Sequence, residues 1–236
     1  MEYDEFKDYN SSLLFSGGID PANLPKTLKN GKCVAVYPHA RLRVTTVYEV
    51  VHAAGYETAY TDKHPAYDIV RGPSGKGLSE GYFPEIAAVA VNVAATIAYD
   101  QLHVNAFLGW IDGQSQPHAE GSISKMPTLF GGNFQAVSVA QKTKGYNKDL
   151  SFTPDLLQAI DFVDDSLGKV VAKLKSKSLL HETLIIVASK HGQAPINPAL
   201  YNTVDPDAVT NATGVPVAFQ TVRILLPSTP PFLSPN

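Results

Sequence analysis

Residues 153–191 read TPDLLQAIDFVDDSLGKVVAKLKSKSLLHETLIIVASKH, and this stretch decides the fold. Leu156, Ile160, Val163, Leu167, Val170, Val171 and Leu174 fall on one helical stripe, because a 3.6-residue period returns side chains three and four apart to the same face. Thr153 can cap the chain's entry, Pro154 suits the first helical position, and Asp155 suits the positive end of the dipole. The spacing predicts a helix over 153–175. Residues 183–188, TLIIVA, are short, apolar and β-branched between polar neighbours, which predicts a strand buried on both faces. A helix feeding such a strand implies an α/β fold with a parallel sheet.

A second helix-to-strand unit lies upstream. Thr46 and Glu49 have capping-box spacing, Val47, Val50, Val51 and Ala54 form a stripe, and Gly55 supplies the stop. Residues 56–61 then alternate and predict a strand. Residues 71–77, RGPSGKG, are a loop. Residues 126–130 and 134–139 are expected as further strands or strand plus turn. Residues 86–110 form the most apolar stretch, yet Asn92, Asp100, Gln101, His103 and Asn105 interrupt it. That is the pattern of a helix in water rather than a membrane span. There is no internal repeat. Residues 1–226 are expected as one domain and 227–236, with four prolines, as a tail without regular structure.

Composition narrows the function. At 236 residues and 44% hydrophobic, the chain can build a sizeable core. Nineteen basic residues against 22 acidic give a net charge of −3 with no like-charged run, which argues against a nucleic-acid partner held by phosphate neutralisation. Cys33, the single cysteine, excludes an internal disulfide and a thiolate zinc cluster. Met1-Glu2-Tyr3-Asp4 is acidic at once, so a cytosolic location is expected. Asn10-Ser11-Ser12 and Asn211-Ala212-Thr213 match the glycosylation triplet, which matters only in a secreted protein.

In an open parallel sheet, ligands collect beyond the carboxyl ends of the strands. Two polar clusters follow predicted strands: Asp62-Lys63-His64, and Ser189-Lys190-His191-Gly192. A third, from Ile111 to His118, carries Asp112 and His118 on one loop, a pairing able to chelate zinc or a similar ion.

The stretch from Val47 to Tyr67, with Gly72-Pro73-Ser74-Gly75, resembles the type I phosphodiesterase and nucleotide pyrophosphatase-like branch of the alkaline phosphatase superfamily. So do Phe130-Gly131-Gly132-Asn133-Phe134-Gln135-Ala136-Val137-Ser138-Val139 and Lys190-His191-Gly192-Gln193-Ala194-Pro195-Ile196. The resemblance spans most of residues 1–200. It implies an α/β/α sandwich with a mostly parallel sheet, and a bimetal site hydrolysing phosphate or sulfate esters. Two metals would activate the nucleophile and neutralise charge building on the phosphoryl oxygens. Carried over, His191 matches the histidine of the family's Asp-His-Gly, while Lys190 stands where its aspartate would be. Asp112 and His118 match the loop pair of metal ligands, with extra residues between them. Lys63 and His64 resemble the basic pair with which sulfatase-like relatives hold the anionic group.

Against that pattern, the sequence opens at a point well inside the family fold. The strand, metal aspartate and nucleophile expected before Met1 are missing from it, and no histidine follows His191. A sheet short of a central strand has apolar edges to cover, so a homodimer is expected. Three functions follow. The first is a metal-dependent phosphodiester or nucleotide pyrophosphate hydrolase by ancestry, with zinc or manganese on Asp112, His118 and His191 and a metal-bound water as nucleophile. The second is a repurposed small-molecule binder, or an isomerase or cyclase. There Lys63, His64, Lys190 and His191 would exchange protons, in a pocket lined by Tyr60, Tyr67, Tyr82, Phe83, Trp110, Phe130 and Phe134, unless those aromatics are core. The third is an inert partner of a full-length relative. Each takes a small molecule or another protein chain, and none needs nucleic acid or a membrane.

Overall fold

The computed structural model describes residues 21–22, 24–86, 92–192, 195, 205–214, 217–221 and 224–227. The Asn10 triplet, residues 193, 194 and 196 of the His191 motif, and the tail beyond Pro227 lie outside these. The chain divides into two compact units, Met1–Ser189 and Lys190–Asn236.

The first unit is built on a four-stranded sheet of order β5-β4-β3-β6. Strand β3 (Thr58–Thr61) is central and pairs in parallel with β4 (Glu80–Tyr82) and β6 (Leu129–Gly132). Only β5 (Glu120–Gly121) runs antiparallel, beside β4. The expected α/β architecture with a mostly parallel sheet is thus present. Before it, β1 (Lys26–Lys29) and β2 (Lys32–Ala35) form a hairpin. Its turn residues Asn30 and Gly31 both have positive φ, 52° and 75°, the conformation a two-residue hairpin turn demands.

Alternation along β3 sends side chains to two faces. Ala59 packs with Ala106 and Trp110, and Thr61 bonds His103, so this face meets α2 (Val93–Ile111). Tyr60 points the other way, its ring 5.5 Å from that of Tyr48 on α1 (Val47–Ala53). Helices therefore cover both faces, giving the α/β/α layering. On the α2 face, α3 (Ala136–Thr143) and α4 (Pro154–Ser176) join through Val93, Ala136, Ala140, Leu156 and Ala159. Trp110 is fully buried beneath the sheet and donates its indole N–H to Glu80 Oε1 at 2.6 Å; truncating such a residue to alanine costs about 3–5 kcal/mol.

Helix α4 follows the sequence closely. Thr153 Oγ1 accepts from the Leu156 N–H at its start. Leu156, Val170 and Leu174 are buried, Ile160, Val163 and Leu167 half-buried, and only Val171 of the stripe is exposed. In α1, Thr46 caps through the Glu49 N–H, but the stripe is inverted: Val47 and Val50 are exposed and Glu49 is buried. Its carboxylate is drawn inward by the Ser74 N–H at 2.8 Å, beneath Gly72. That glycine has φ +71°, and a Cβ there would stand 2.7 Å from Glu49 Oε2.

Two expected strands are corrected. Residues 183–188 form no strand, and Leu184, Ile185, Ile186 and Val187 are exposed. A parallel strand needs a neighbouring ladder, and β6 pairs with β3 alone among the described residues. Residues 134–139 also form no strand: β6 ends at Gly132, and α3 begins at Ala136. The 126–130 strand is realised as β6, a few residues later.

The second unit contains α5 (Pro206–Thr213) and an antiparallel pair, β7 (Val217–Thr221) and β8 (Ile224–Pro227). The Asn211 triplet lies on α5. No described helix is long and apolar enough to cross a membrane.

Candidate functional site

The three parallel strands all deliver the chain to one edge of the sheet, and their exits carry the site. Beyond β3, Asp62 is 1% exposed. Its Oδ2 accepts the Tyr60 hydroxyl at 2.9 Å, and its Oδ1 accepts the Lys63 N–H at 2.8 Å and the Asn133 amide at 3.3 Å. Lys63 Nζ donates to Gln135 Oε1 at 2.9 Å and lies 6.0 Å from the centre of the Tyr67 ring. His64 Nδ1 is 2.7 Å from Glu85 Oε1, beyond β4, with both side chains buried, and its ring stacks on Tyr67 at 6.4 Å. Asn133 and Gln135 come from the exit of β6.

Helix α2 closes the cluster from below. Asp100, fully buried, accepts the Gln135 and Ala136 N–H groups on Oδ2, each at 2.8 Å. Its Oδ1 has no hydrogen-bond partner. Burial pushes this carboxyl up to about 7, with a smaller rise from Asp62, against the lowering effects of the two backbone N–H groups and Lys63. One turn on, His103 Nδ1 is 2.6 Å from Thr61 Oγ1 and its Nε2 has no partner. Burial drops this imidazole to about 3, so it is neutral. Burial also raises the Tyr60 phenol, helped by the neighbouring Asp62 carboxylate.

The structure therefore brings Lys63 and His64 together and adds Glu85, Asn133, Gln135, Asp100 and His103. In the sequence, Asp100 and His103 stand as interruptions of an apolar helix. An aspartate and a histidine three apart on a face otherwise apolar were a usable signal. Glu85 had none. Of the proposed aromatic lining, Tyr82, Phe83 and Trp110 are core residues, while Tyr60, Tyr67, Phe130 and Phe134 are half-buried.

The expected metal ligands are placed differently. Asp112 ends α2, where its two oxygens meet Lys173 Nζ at 2.5 Å and Lys177 Nζ at 2.8 Å. Those two hydrogen-bonded ammonium groups hold its carboxyl below the usual range. His118 is exposed in a turn, with φ +64°. Lys190 and His191 are exposed and belong to the second unit, after the extended run rather than a buried strand. Among the described residues, no three of His, Cys, Asp and Glu gather as a metal-holding group.

The family model described as type I phosphodiesterase / nucleotide pyrophosphatase matches residues 2–227. No curated protein and no solved structure matches the chain. The chain belongs to that family and is a phosphoric ester hydrolase by ancestry. The family is typically metal-dependent, and the described donors do not fit a divalent ion. Asp112 is neutralised by two lysines, and no three described His, Cys, Asp or Glu side chains gather around it.

Proposed function

Starting from membership of a phosphoric ester hydrolase family, we propose that this chain binds a phosphoric ester at the carboxyl edge of β3 and does not turn it over. Lys63 and His64 take the anionic group, with Tyr67 beside both. The observation that carries this reading is the gathering of these two side chains at one strand end, each oriented by a neighbour: Gln135 holds the ammonium and Glu85 holds Nδ1 of the imidazole. A preoriented ammonium spends less entropy on binding than a solvated one. Loss of turnover is supported by the lysine pairing of Asp112 and the cation at Lys190.

Calorimetry with adenosine monophosphate and with a chromogenic phosphodiester tests both halves. Both ligands should bind in the presence of a chelator, and Lys63→Ala should weaken them at least about tenfold, roughly 1.4 kcal/mol. Equal binding by Lys63→Ala would place the ligand elsewhere. Release of chromophore with zinc or manganese supplied, abolished by chelation, would restore a metal-dependent hydrolase.

A further inference from the structure

Asp100 is fully buried and lies one residue-chain away from the proposed ligand group. Its Oδ2 holds the first N–H groups of α3, those of Gln135 and Ala136, and the Gln135 side chain in turn holds the Lys63 ammonium. Gln135 offers α3 no side-chain cap of its own, so the start of that helix, and with it the Gln135 amide, depends on a carboxylate 35 positions away. The second oxygen, Oδ1, is buried without a hydrogen-bond partner. A buried lone oxygen of this kind is where a proton would sit.

The charges around Asp100 are unequal. From the β3 exit, Asp62 opposes its ionisation and Lys63 favours it. On α2 itself, Tyr99 and the neutral His103 flank it; Glu85, from the β4 exit, acts together with Asp100 on Tyr99. From α3 come the two N–H groups, and the α3–α4 side adds the apolar surface of Ala136, Ala140, Leu156 and Ala159. Among the described residues, Lys63 is thus the counter-charge that acts on Asp100 and is also asked to bind a ligand.

We infer that Asp100 is a positioning residue that couples proton uptake to anion binding: an anion drawing on Lys63, which Gln135 ties to the Asp100-held start of α3, withdraws a charge that favours the ionised form, and the carboxylate takes a proton on Oδ1. The inference rests on the ligand reading above. Balance is simple, one proton from solvent onto one carboxylate oxygen, with no covalent change to the ligand. By linkage, the anion binds more tightly as pH falls. A merely structural Asp100 would not produce that coupling.

The test uses the full chain and dimethyl phosphate, whose single charge is constant across the range studied, so the ligand adds no titration of its own. Calorimetry in two buffers of different ionisation heat should show uptake of up to about half a proton per ligand at pH 7, rising toward one above it. Affinity should rise by up to about tenfold per unit as pH falls toward 7 and level off below it, where the free chain already holds the proton. Asp100→Asn keeps the shape, accepts the same N–H groups, and should lose the proton uptake. Uptake and slope unchanged in Asp100→Asn would assign the proton to another group and overturn the inference. A ligand-free readout stands beside it: the amide resonances of Gln135 and Ala136 should titrate together in the wild type and not in Asp100→Asn. Flat amide resonances in the wild type overturn the inference by themselves. Titrating amides with no dimethyl phosphate binding overturn the ligand reading and the coupling with it. Binding without Asp100-dependent uptake removes the coupling alone.

Discussion

Replacing Asp100 with asparagine should change the pH dependence of stability more than stability itself. The carboxyl moves from an ordinary 3.8 to about 7 in the folded chain. Below about pH 4 both folded and unfolded chains carry the proton. Between about 4 and 7 only the folded chain does, so folding takes up a proton and stability falls as pH rises. Above about 7 the loss is complete. Three units correspond to roughly 4 kcal/mol, of which about 3 kcal/mol falls between pH 5 and pH 8. Asparagine mimics the protonated acid. Its Oδ1 can accept the Gln135 and Ala136 N–H groups, while its amide nitrogen inherits the unpartnered position at a pH-independent cost of about 1–3 kcal/mol. Urea denaturation of wild type and Asp100→Asn at pH 5 and pH 8 isolates the difference. Relative to wild type, the variant should gain about 3 kcal/mol on going from the lower pH to the higher. A difference between the two proteins that is the same at both pH values would refute the reasoning, because the carboxyl would then be ionised over the whole range.

Two further outcomes are expected. Elemental analysis of the purified protein should find zinc and manganese well below one equivalent; a full equivalent lost in Asp112→Ala and His118→Ala would show that the lysines yield to a metal. The chain should also self-associate through the run Leu184, Ile185, Ile186 and Val187, exposed and without strand pairing, since two such runs from two copies can satisfy one another's backbone groups. Ile186→Lys should shift sedimentation toward monomer, and a wild type that stays monomeric at high concentration removes the idea.

Legibility in the sequence followed the range of the interactions involved. Helix α4 was readable because its start is local: Thr153 caps Leu156 three residues on, and Pro154 needs no partner. Helix α3 replaces the expected strand because its start is fixed from a remote position. Phe134-Gln135-Ala136-Val137-Ser138-Val139 suits a strand until Asp100, 35 residues earlier, accepts the N–H groups of Gln135 and Ala136. Helix α1 hides the same lesson, with Ser74 pulling Glu49 inward against the valine stripe. In residues 183–188, apolar content measures what a segment can bury and says nothing of whether a neighbouring strand is there to receive it. At the site, Lys63 and His64 were legible because the carboxyl end of a parallel strand is a rule of position. Glu85 and Gln135 obey the same rule at β4 and β6, yet their strands were too short or too late in the sequence reading to mark them.

That shared rule also explains why the site is costly. Parallel β3, β4 and β6 point the same way, so Asp62, Lys63 and His64, then Glu85, then Asn133 and Gln135 all emerge together. The carboxyls of Asp62, Glu85 and Asp100 are buried there: Glu85 meets the imidazole of His64, Asp62 accepts the Lys63 backbone N–H, and Asp100 feels the Lys63 charge. A chain selected for stability alone would place apolar groups there, because even a well-paired buried charge gains little over a hydrophobic replacement of similar size. Keeping a buried carboxyl beside a held lysine is reasonable if something arrives at either. A proton on Asp100 is one such visitor, and its arrival becomes easier when an anion occupies Lys63. The instability at neutral pH and the ligand's preference for the protonated state are then two readings of a single titrating carboxyl.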